Sequence, residues 1–357
     1  MRPPTPILSR LAAGLAAAVV LATGAAARPA ADRPLVVILA DPKGTVATDL
    51  LAPYAILAES GAVEVKVVSP TAAPVRLTPG HAWVRPQMTL AELERTRPGG
   101  PDVVIVPAME DEENTVRARW LRAQLRRGVR IMSICNGARV LAAAGLLDGR
   151  QATIHWYSQG KVAKRYPEVT WRRDVRWVTD GPVTTTAGIS AGEPGTLQLL
   201  RELAGDAVMR STAARLRQPL PDPRHDGRAY RLTLPRMALV VGNLAAFWRR
   251  ETVALPLSPG FDELALGTAI DAWSRTYRSE AWVTGAPAVR SRHGLVIHRS
   301  RDLPDRFDRR VALPGPDVMV RTFEQIGRAY GEPTARFVGL QFEHPYGVAR
   351  ARSDPGS

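Results

Sequence analysis

The sequence predicts an α/β fold: a parallel sheet covered by helices on both faces, followed by a partial, degenerate second α/β copy. Three observations predict it. Continuous apolar runs at 35–40 (LVVILA), 102–107 (DVVIVP) and 129–134 have the composition of strands buried on both faces. Segments with helical apolar spacing alternate with these runs, which implies crossover connections and parallel pairing. The order of features near the start then returns, weakened, after residue 250.

The elements follow in order. After the strand at 35–40, a loop at 41–48 leads into a helix at 49–60, and 63–69 (VEVKVVS) reads as the second strand. The strand at 102–107 precedes an amphipathic helix at 113–127, with Val116, Trp120, Leu121 and Leu125 on one side and Gly128 at its end. Residues 129–134 form the next strand and 136–144 the next helix. Residues 151–156 and 183–186 read as strands, and 195–214 as one long helix. The stretch 218–228 is rich in Pro, Asp and Arg, as a linker is. The first domain therefore spans 34–217 and the linker 218–236.

The remainder repeats the start in outline. Residues 253–256, then Gly260 to Leu264 (GFDEL), then an Ala- and Trp-containing helix parallel 35–57. Residues 281–284 parallel 63–69, Ala288-Val289-Arg290 before Gly294 parallels Pro74-Val75-Arg76 before Gly80, and 311–315 (VALPG) parallels 104–108 (VIVPA). The partial copy spans 237–345. It ends with a helix at 318–330 and a strand at 334–342, and 346–357 is an irregular tail.

Composition bounds the rest. The chain has 357 residues and 45% apolar residues, enough for a substantial core. Arg2 and Arg10 flank the start of an apolar run at 11–27 that ends in Ala25-Ala26-Ala27, the layout of a cleavable secretory signal at 1–27. An uncleaved anchor is the alternative, although the run is short and rich in Ala. The expected location is periplasmic or secreted. The net charge of +14 comes mostly from Arg. Export argues against a nucleic-acid partner, so the expected partner is a small-molecule ligand or substrate. Attraction to an anionic envelope surface and a homodimer are left open. There is one cysteine, Cys135, so no internal disulfide forms, and a lone thiol in an oxidising compartment must be buried or used.

Ser133-Ile134-Cys135-Asn136-Gly137 lies between a buried strand and a helix. A nucleophile there stands on a sharp turn, and small residues two before and two after make room for it. The helix that follows directs its N-terminal N–H groups at the sulfur, which favours a thiolate and offers half of an oxyanion hole.

The longer pattern is 133–138 (SICNGA), Leu141-Ala142, 144–150 (AGLLDGR) and 152–156 (ATIHW), with 185–192 (TTAGISAG) and Asp49-Leu50 before Pro53. It resembles the ThiJ/PfpI branch of the class I glutamine amidotransferase-like superfamily. Within that branch it is similar to isonitrile hydratase and to the sensor domains of GlxA-like AraC-family regulators. The resemblance covers about 35–217 and, weakly, 250–316. It implies a flavodoxin-like three-layer α/β/α sandwich with Cys135 as nucleophile, Asp49 beside it as acid or base, and His155 on the strand after the elbow helix, close to the sulfur. Asn136, Gly137, Ala108 and Met109 would form the oxyanion and substrate-binding positions. Read as residues alone, His155 fits a hydrogen-bonded core histidine equally well, and Asp49 fits a helix N-cap.

Three departures from the family pattern stand out. Asn136 replaces a threonine of the isonitrile hydratases. Val106-Pro107-Ala108-Met109 replaces Val-Pro-Gly-Gly, so the oxyanion donor expected there is missing or re-aimed. Glu193-Pro194 interrupts the approach to the last helix. In the second copy Ala265 stands where the first has Asp49, and no cysteine follows, so that copy is expected to pack against the first rather than repeat its chemistry.

Other chemistries lack their motifs. The histidines 81, 155, 225, 293, 298 and 344 show no metal-ligand spacing, and no G-x-G-x-x-G or phosphate loop is present. No cofactor and no metal are expected. Two functions remain: a cysteine-dependent hydrolase or hydratase acting on an isonitrile, amide or reactive carbonyl, and a non-enzymatic ligand-binding or redox-sensing envelope protein.

Overall fold

In the strand Leu35–Leu39, Val36 and Ile38 enter one core while Leu35, Val37 and Leu39 enter another. Val103–Val106 divides its side chains between the same two cores. This two-residue alternation, with apolar residues at every position, is what places the strands inside a sheet covered on both faces. The structure, a computed structural model, describes residues 33–348 except residue 246. The expected signal at 1–27 and most of the tail at 346–357 lie outside the described residues.

The central sheet has seven strands in the order Trp177–Asp180, Val183–Thr186, Arg130–Ser133, Val103–Val106, Leu35–Leu39, Glu64–Ser69 and Met88–Thr89. Only Trp177–Asp180, at one edge, runs antiparallel to its neighbour. The other pairs are parallel. This is the predicted flavodoxin-like α/β arrangement.

The second half is a shorter unit of the same kind. Glu251–Leu257, the helix Glu263–Ser274 and Ser279–Gly285 form a parallel β-α-β unit, and Arg309–Arg310 pairs on the other side of Glu251–Leu257. The strand order Ser279–Gly285, Glu251–Leu257, Arg309–Arg310 parallels Glu64–Ser69, Leu35–Leu39, Val103–Val106 in the first half.

Among the contacts between the halves, a shared sheet and a pair of helices are the most extensive. Val296–Arg299 pairs antiparallel with Ala82–Val84, which makes one five-stranded sheet from both halves. The helix Glu263–Ser274 lies against Ala47–Ser60, and Leu50, Leu266, Ile270 and Trp273 share one core. Gly267 permits this approach: a Cβ there would stand 3.0 Å from Leu51 Cβ and 3.2 Å from the Ala47 carbonyl. Both helices are buried on nearly every side, as expected of helices apolar all round.

Four local expectations are corrected. Residues 334–342 are not a strand but most of the helix Glu332–Gln341, which starts beside Gly331 at φ +87 with Pro333 in its first turn. Burial on nearly every side erases the 3.6-residue stripe that would have marked it as a helix. The long helix at 195–214 is two helices, Gly192–Ala204 and Asp206–Arg215, parted at Gly205 with φ +90. The strand at 151–156 shrinks to Gln151–Ala152, and Trp156–Arg165 is a helix. The helix Leu234–Ala245 runs across the expected boundary between linker and second copy at 236 and 237. Its Leu239 and Val240 pack on Tyr230, Phe337 and Leu340.

Candidate active site

The chain reaches Cys135 from the strand Arg130–Ser133 and leaves it into the helix Gly137–Ala143. Cys135 takes φ +54, a left-handed conformation costing about 1 kcal/mol in a residue with a side chain. Gly137 makes the turn possible. A Cβ there would fall 2.0 Å from the Val106 carbonyl oxygen, so the elbow helix can approach the neighbouring strand only without one. Ile134 N–H donates to that same carbonyl at 3.0 Å, and Cys135 N–H donates to Thr186 Oγ1 at 3.4 Å.

Of the acids that act on the Cys135 thiol, Asp49 acts most strongly. It sits in the first turn of Ala47–Ser60, inside the helix rather than at the N-cap, which is Val46. Its Oδ2 accepts from Ala108 N–H at 3.1 Å, while Oδ1 is buried with no partner among the described residues. Burial, followed by the nearby Asp271 carboxylate, holds its pKa well above the carboxylate range; Ala108 N–H and Arg275 act against the rise. Burial thus favours the protonated form of Asp49, and its unpartnered Oδ1 is placed to carry the proton.

Cys135 is 4 % exposed. Burial, and then the Asp49 carboxylate, raise its thiol well above the usual value, and Glu343 adds to the rise. Arg275 and the Asn136 N–H, which reaches the sulfur, act in the opposite direction. The expectation of a thiolate favoured by the helix terminus is thus corrected: one N–H of a short helix does not offset desolvation. Burial favours the protonated form of both members of the pair.

The second half supplies charges to this pair. Asp271 is fully buried; its Oδ2 accepts from Thr48 N–H at 3.3 Å and its Oδ1 accepts from Arg275 Nε at 2.6 Å. Gln341 Nε2 donates to the Arg275 carbonyl at 2.8 Å. Glu343, at φ +58, lies so close to Gly188 that a Cβ on residue 188 would meet its carboxylate at 2.3 Å. Its Oε1 pairs with His225 Nε2 at 2.7 Å, and its Oε2 accepts from Trp156 N–H at 3.2 Å.

The other expected site residues are placed as follows. His155 caps the helix Trp156–Arg165: its Nδ1 accepts from Tyr157 N–H at 3.3 Å, so the ring proton is on Nε2, which donates to the Gln341 carbonyl at 2.7 Å. Both nitrogens are committed, burial lowers the ring's pKa, and the packed-histidine alternative describes it. Ala108 N–H is taken by Asp49 and Gly137 N–H by the Ile134 carbonyl at 2.8 Å, so neither is a free oxyanion donor. Met109 is buried and bridges Thr45. Asn136, next to Cys135 in sequence, keeps a buried Oδ1 without a partner among the described residues.

Sequence reasoning missed Asp271, Arg275 and Glu343. A signal was present: Asp271 and Arg275 stand four apart at the end of an otherwise apolar helix, the spacing of a pair on one face.

The DJ-1/PfpI family pattern matches residues 35–202. Isonitrile hydratase of Pseudomonas putida is 34% identical over 161 residues, covering 44% of this chain and 67% of that protein. The HTH-type transcriptional regulator GlxA of Rhizobium meliloti is 46% identical over 68 residues, 19% of this chain and 21% of the regulator, so only about a fifth of the regulator is spanned. Among solved structures, a ThiJ/PfpI family protein from Pseudomonas syringae superposes with a TM-score of 0.50 at 22% identity, over 60% of this chain and 87% of that one, and shares the fold. With the elbow, its glycine and the buried acid beside it, these likenesses establish that the chain belongs to the DJ-1/PfpI family.

Proposed function

We propose that the protein is an exported cysteine-dependent hydratase or hydrolase acting on a small electrophile such as an isonitrile, an amide or a reactive carbonyl. The observation that carries this reading is Cys135 on a left-handed elbow, beside Asp49 with one unpartnered oxygen. With an isonitrile, the Cys135 sulfur adds to the terminal carbon and the thiol proton ends on that carbon, giving a thioimidate. Asp49 relays the proton. Water then adds to the same carbon, the C–S bond breaks, the nitrogen takes a proton, and an N-substituted formamide leaves with the thiol restored. Burial disfavours charge on both the thiol and the acid, which suits an uncharged substrate. The likeness to isonitrile hydratase supports this substrate class. The test is turnover of a panel of alkyl and aryl isonitriles, amides and dicarbonyls by the intact protein. Loss of turnover in Cys135→Ala is expected, and equal turnover in that variant would remove the proposal.

A second reading, a ligand-binding protein without turnover, is favoured by one observation: Ala108 N–H and Gly137 N–H, the expected oxyanion donors, are both taken. The likeness to GlxA supports it as well.

Export rests on the apolar run at 11–27. An anionic membrane surface is the partner this reading adds. On the outer side of Leu234–Ala245 and the turn after it, Leu234, Met237, Val241, Leu244 and Trp248 are exposed, with Leu234 at 82 %. Arg228, Arg231, Arg249 and Arg250 flank this stripe and are exposed. An apolar stripe ending in Trp and bordered by Arg suits a helix lying in an anionic lipid interface.

A further inference from the structure

A cavity of about 680 Å³ lies where the two halves meet, lined from the first half by Glu193 and Arg217, from the connecting segment by Leu220 and from the second half by the start of the helix Val318–Tyr330. Its volume suits a small organic ligand. Cys135 is not among the residues that line it.

Glu193 is 6 % exposed, and its Oε1 has no hydrogen-bond partner among the described residues. Burial, with Asp262 adding a smaller repulsion, raises its pKa to about 8. A carboxyl held neutral inside a cavity is a hydrogen-bond donor awaiting an acceptor. The helix start offers more donors. Asp317 takes φ +60 and caps nothing with its side chain, so the first N–H groups, at Val318, Met319 and Val320, have no intrahelical acceptor. These three residues line the cavity, and the helix dipole favours an anion there.

The charges on the wall agree. Arg176 and Arg217 line the cavity, and among the described residues no ion pair is formed by either. Burial, with Arg176 adding to it, pushes His344, also in the wall, down to about 4, so His344 is neutral at pH 7. Of the acids, Asp222 is held by Arg224 at 2.7 Å and Asp317 is exposed. Pro194, Leu220, Val318 and Met319 give the remainder of the wall an apolar character.

We propose that this cavity binds a small organic monocarboxylate, its carboxylate received by the N–H groups of Val318–Val320 and by Arg176, with one oxygen accepting a hydrogen bond from the Glu193 carboxyl. Charge-assisted donors and a neutral acid together select a carboxylate over its amide, and the apolar wall selects a ligand with a hydrocarbon part over a bare inorganic anion. Ionisation of Glu193 places a like charge against the ligand, so affinity falls at alkaline pH. The other charged and titratable groups facing Glu193 and the ligand are Asp262, Asp222, Asp317, Arg176, Arg217 and His344.

The experiment is calorimetric titration of the whole protein with acetate, butyrate, benzoate, butyramide, benzamide and inorganic phosphate at pH 7, repeated at pH 9.5. Butyrate or benzoate is expected to bind at least tenfold more tightly than acetate, phosphate and both amides, and about tenfold more weakly at pH 9.5. Glu193→Gln, which retains a donor and never ionises, is expected to bind at pH 7 and to lose the alkaline decline; Arg176→Gln is expected to weaken binding about tenfold. Absence of carboxylate binding, equal binding of the amides or tighter binding of phosphate overturns the proposal. So does an alkaline decline unchanged in a folded Glu193→Gln protein.

Discussion

Asp271 accepts a hydrogen bond from the backbone N–H of Thr48, a residue 223 positions earlier, at 3.3 Å. Thr48 immediately precedes Asp49, so a carboxylate from the degenerate half is fixed against the turn that carries the acid of the first half. Arg275, bonded to Asp271, places one positive charge where it lowers the pKa of both Asp49 and Cys135. A half without a nucleophile thus sets the electrostatics of the half that has one.

Arg275→Gln is expected to destabilise the fold by about 3 kcal/mol, because it leaves Asp271 buried without its counter-charge. It is also expected to move the alkylation midpoint of Cys135 to higher pH. Urea unfolding measures the first effect and alkylation read by intact mass the second. An unchanged midpoint in a folded variant would show that Arg275 does not act on the site.

Gly137→Ala is expected to cost about 3 kcal/mol, since its Cβ would overlap the Val106 carbonyl and the elbow would have to move away from the sheet. The contrasting control is Gly99→Ala, where a Cβ meets nothing within 4 Å. Equal unfolding midpoints for the two variants would contradict the close approach.

Glu193 makes stability depend on pH. Its folded pKa, about 8, lies above the unfolded value near 4.5, so its contribution is fully present below pH ~4.5 and is lost as pH rises through 8. At ~1.4 kcal/mol per unit the loss approaches about 5 kcal/mol as an upper bound. Glu193→Gln is expected to flatten the stability profile between pH 5 and 9. A profile with the wild-type slope would show that the carboxyl is ionised in the fold at neutral pH.

Vesicles test the exposed stripe. Co-sedimentation with phosphatidylglycerol vesicles and not with phosphatidylcholine vesicles is expected, and Val241→Asp should reduce it about tenfold. Val241 is exposed, so this change leaves the core intact. Binding that ignores both lipid charge and Val241→Asp would contradict the membrane partner, and concentration-dependent dimerisation abolished by the same change would assign the stripe to a second copy.

The strands and the elbow were legible because their signals are local. Leu35–Leu39 and Val103–Val106 are short, apolar at every position and bounded by turns, and the elbow is a strand, a cysteine and a glycine in a fixed order. The helix Glu332–Gln341 was illegible because burial on nearly all sides removes periodicity. Asp49 was found through family resemblance, yet the rise in its pKa depends on burial, which no local pattern reports. Asp271, Arg275 and Glu343 were hidden for a different reason: they reach the site through packing between distant halves, and the sequence of one half does not contain the other's contacts. His155 looked catalytic by position, and its two hydrogen bonds, one of them to Gln341, decide against a free imidazole.

The central claim is that Cys135 and Asp49 form a buried pair in which each opposes the ionisation of the other. The most direct measurement is the rate of Cys135 alkylation in the folded protein against pH, for the wild type and Asp49→Asn. The account predicts a wild-type midpoint above the free-thiol value of ~8.5 and a lower midpoint in Asp49→Asn, which removes the acid whose ionisation opposes that of the thiol. A wild-type midpoint below ~8.5 that is unmoved by Asp49→Asn would contradict it.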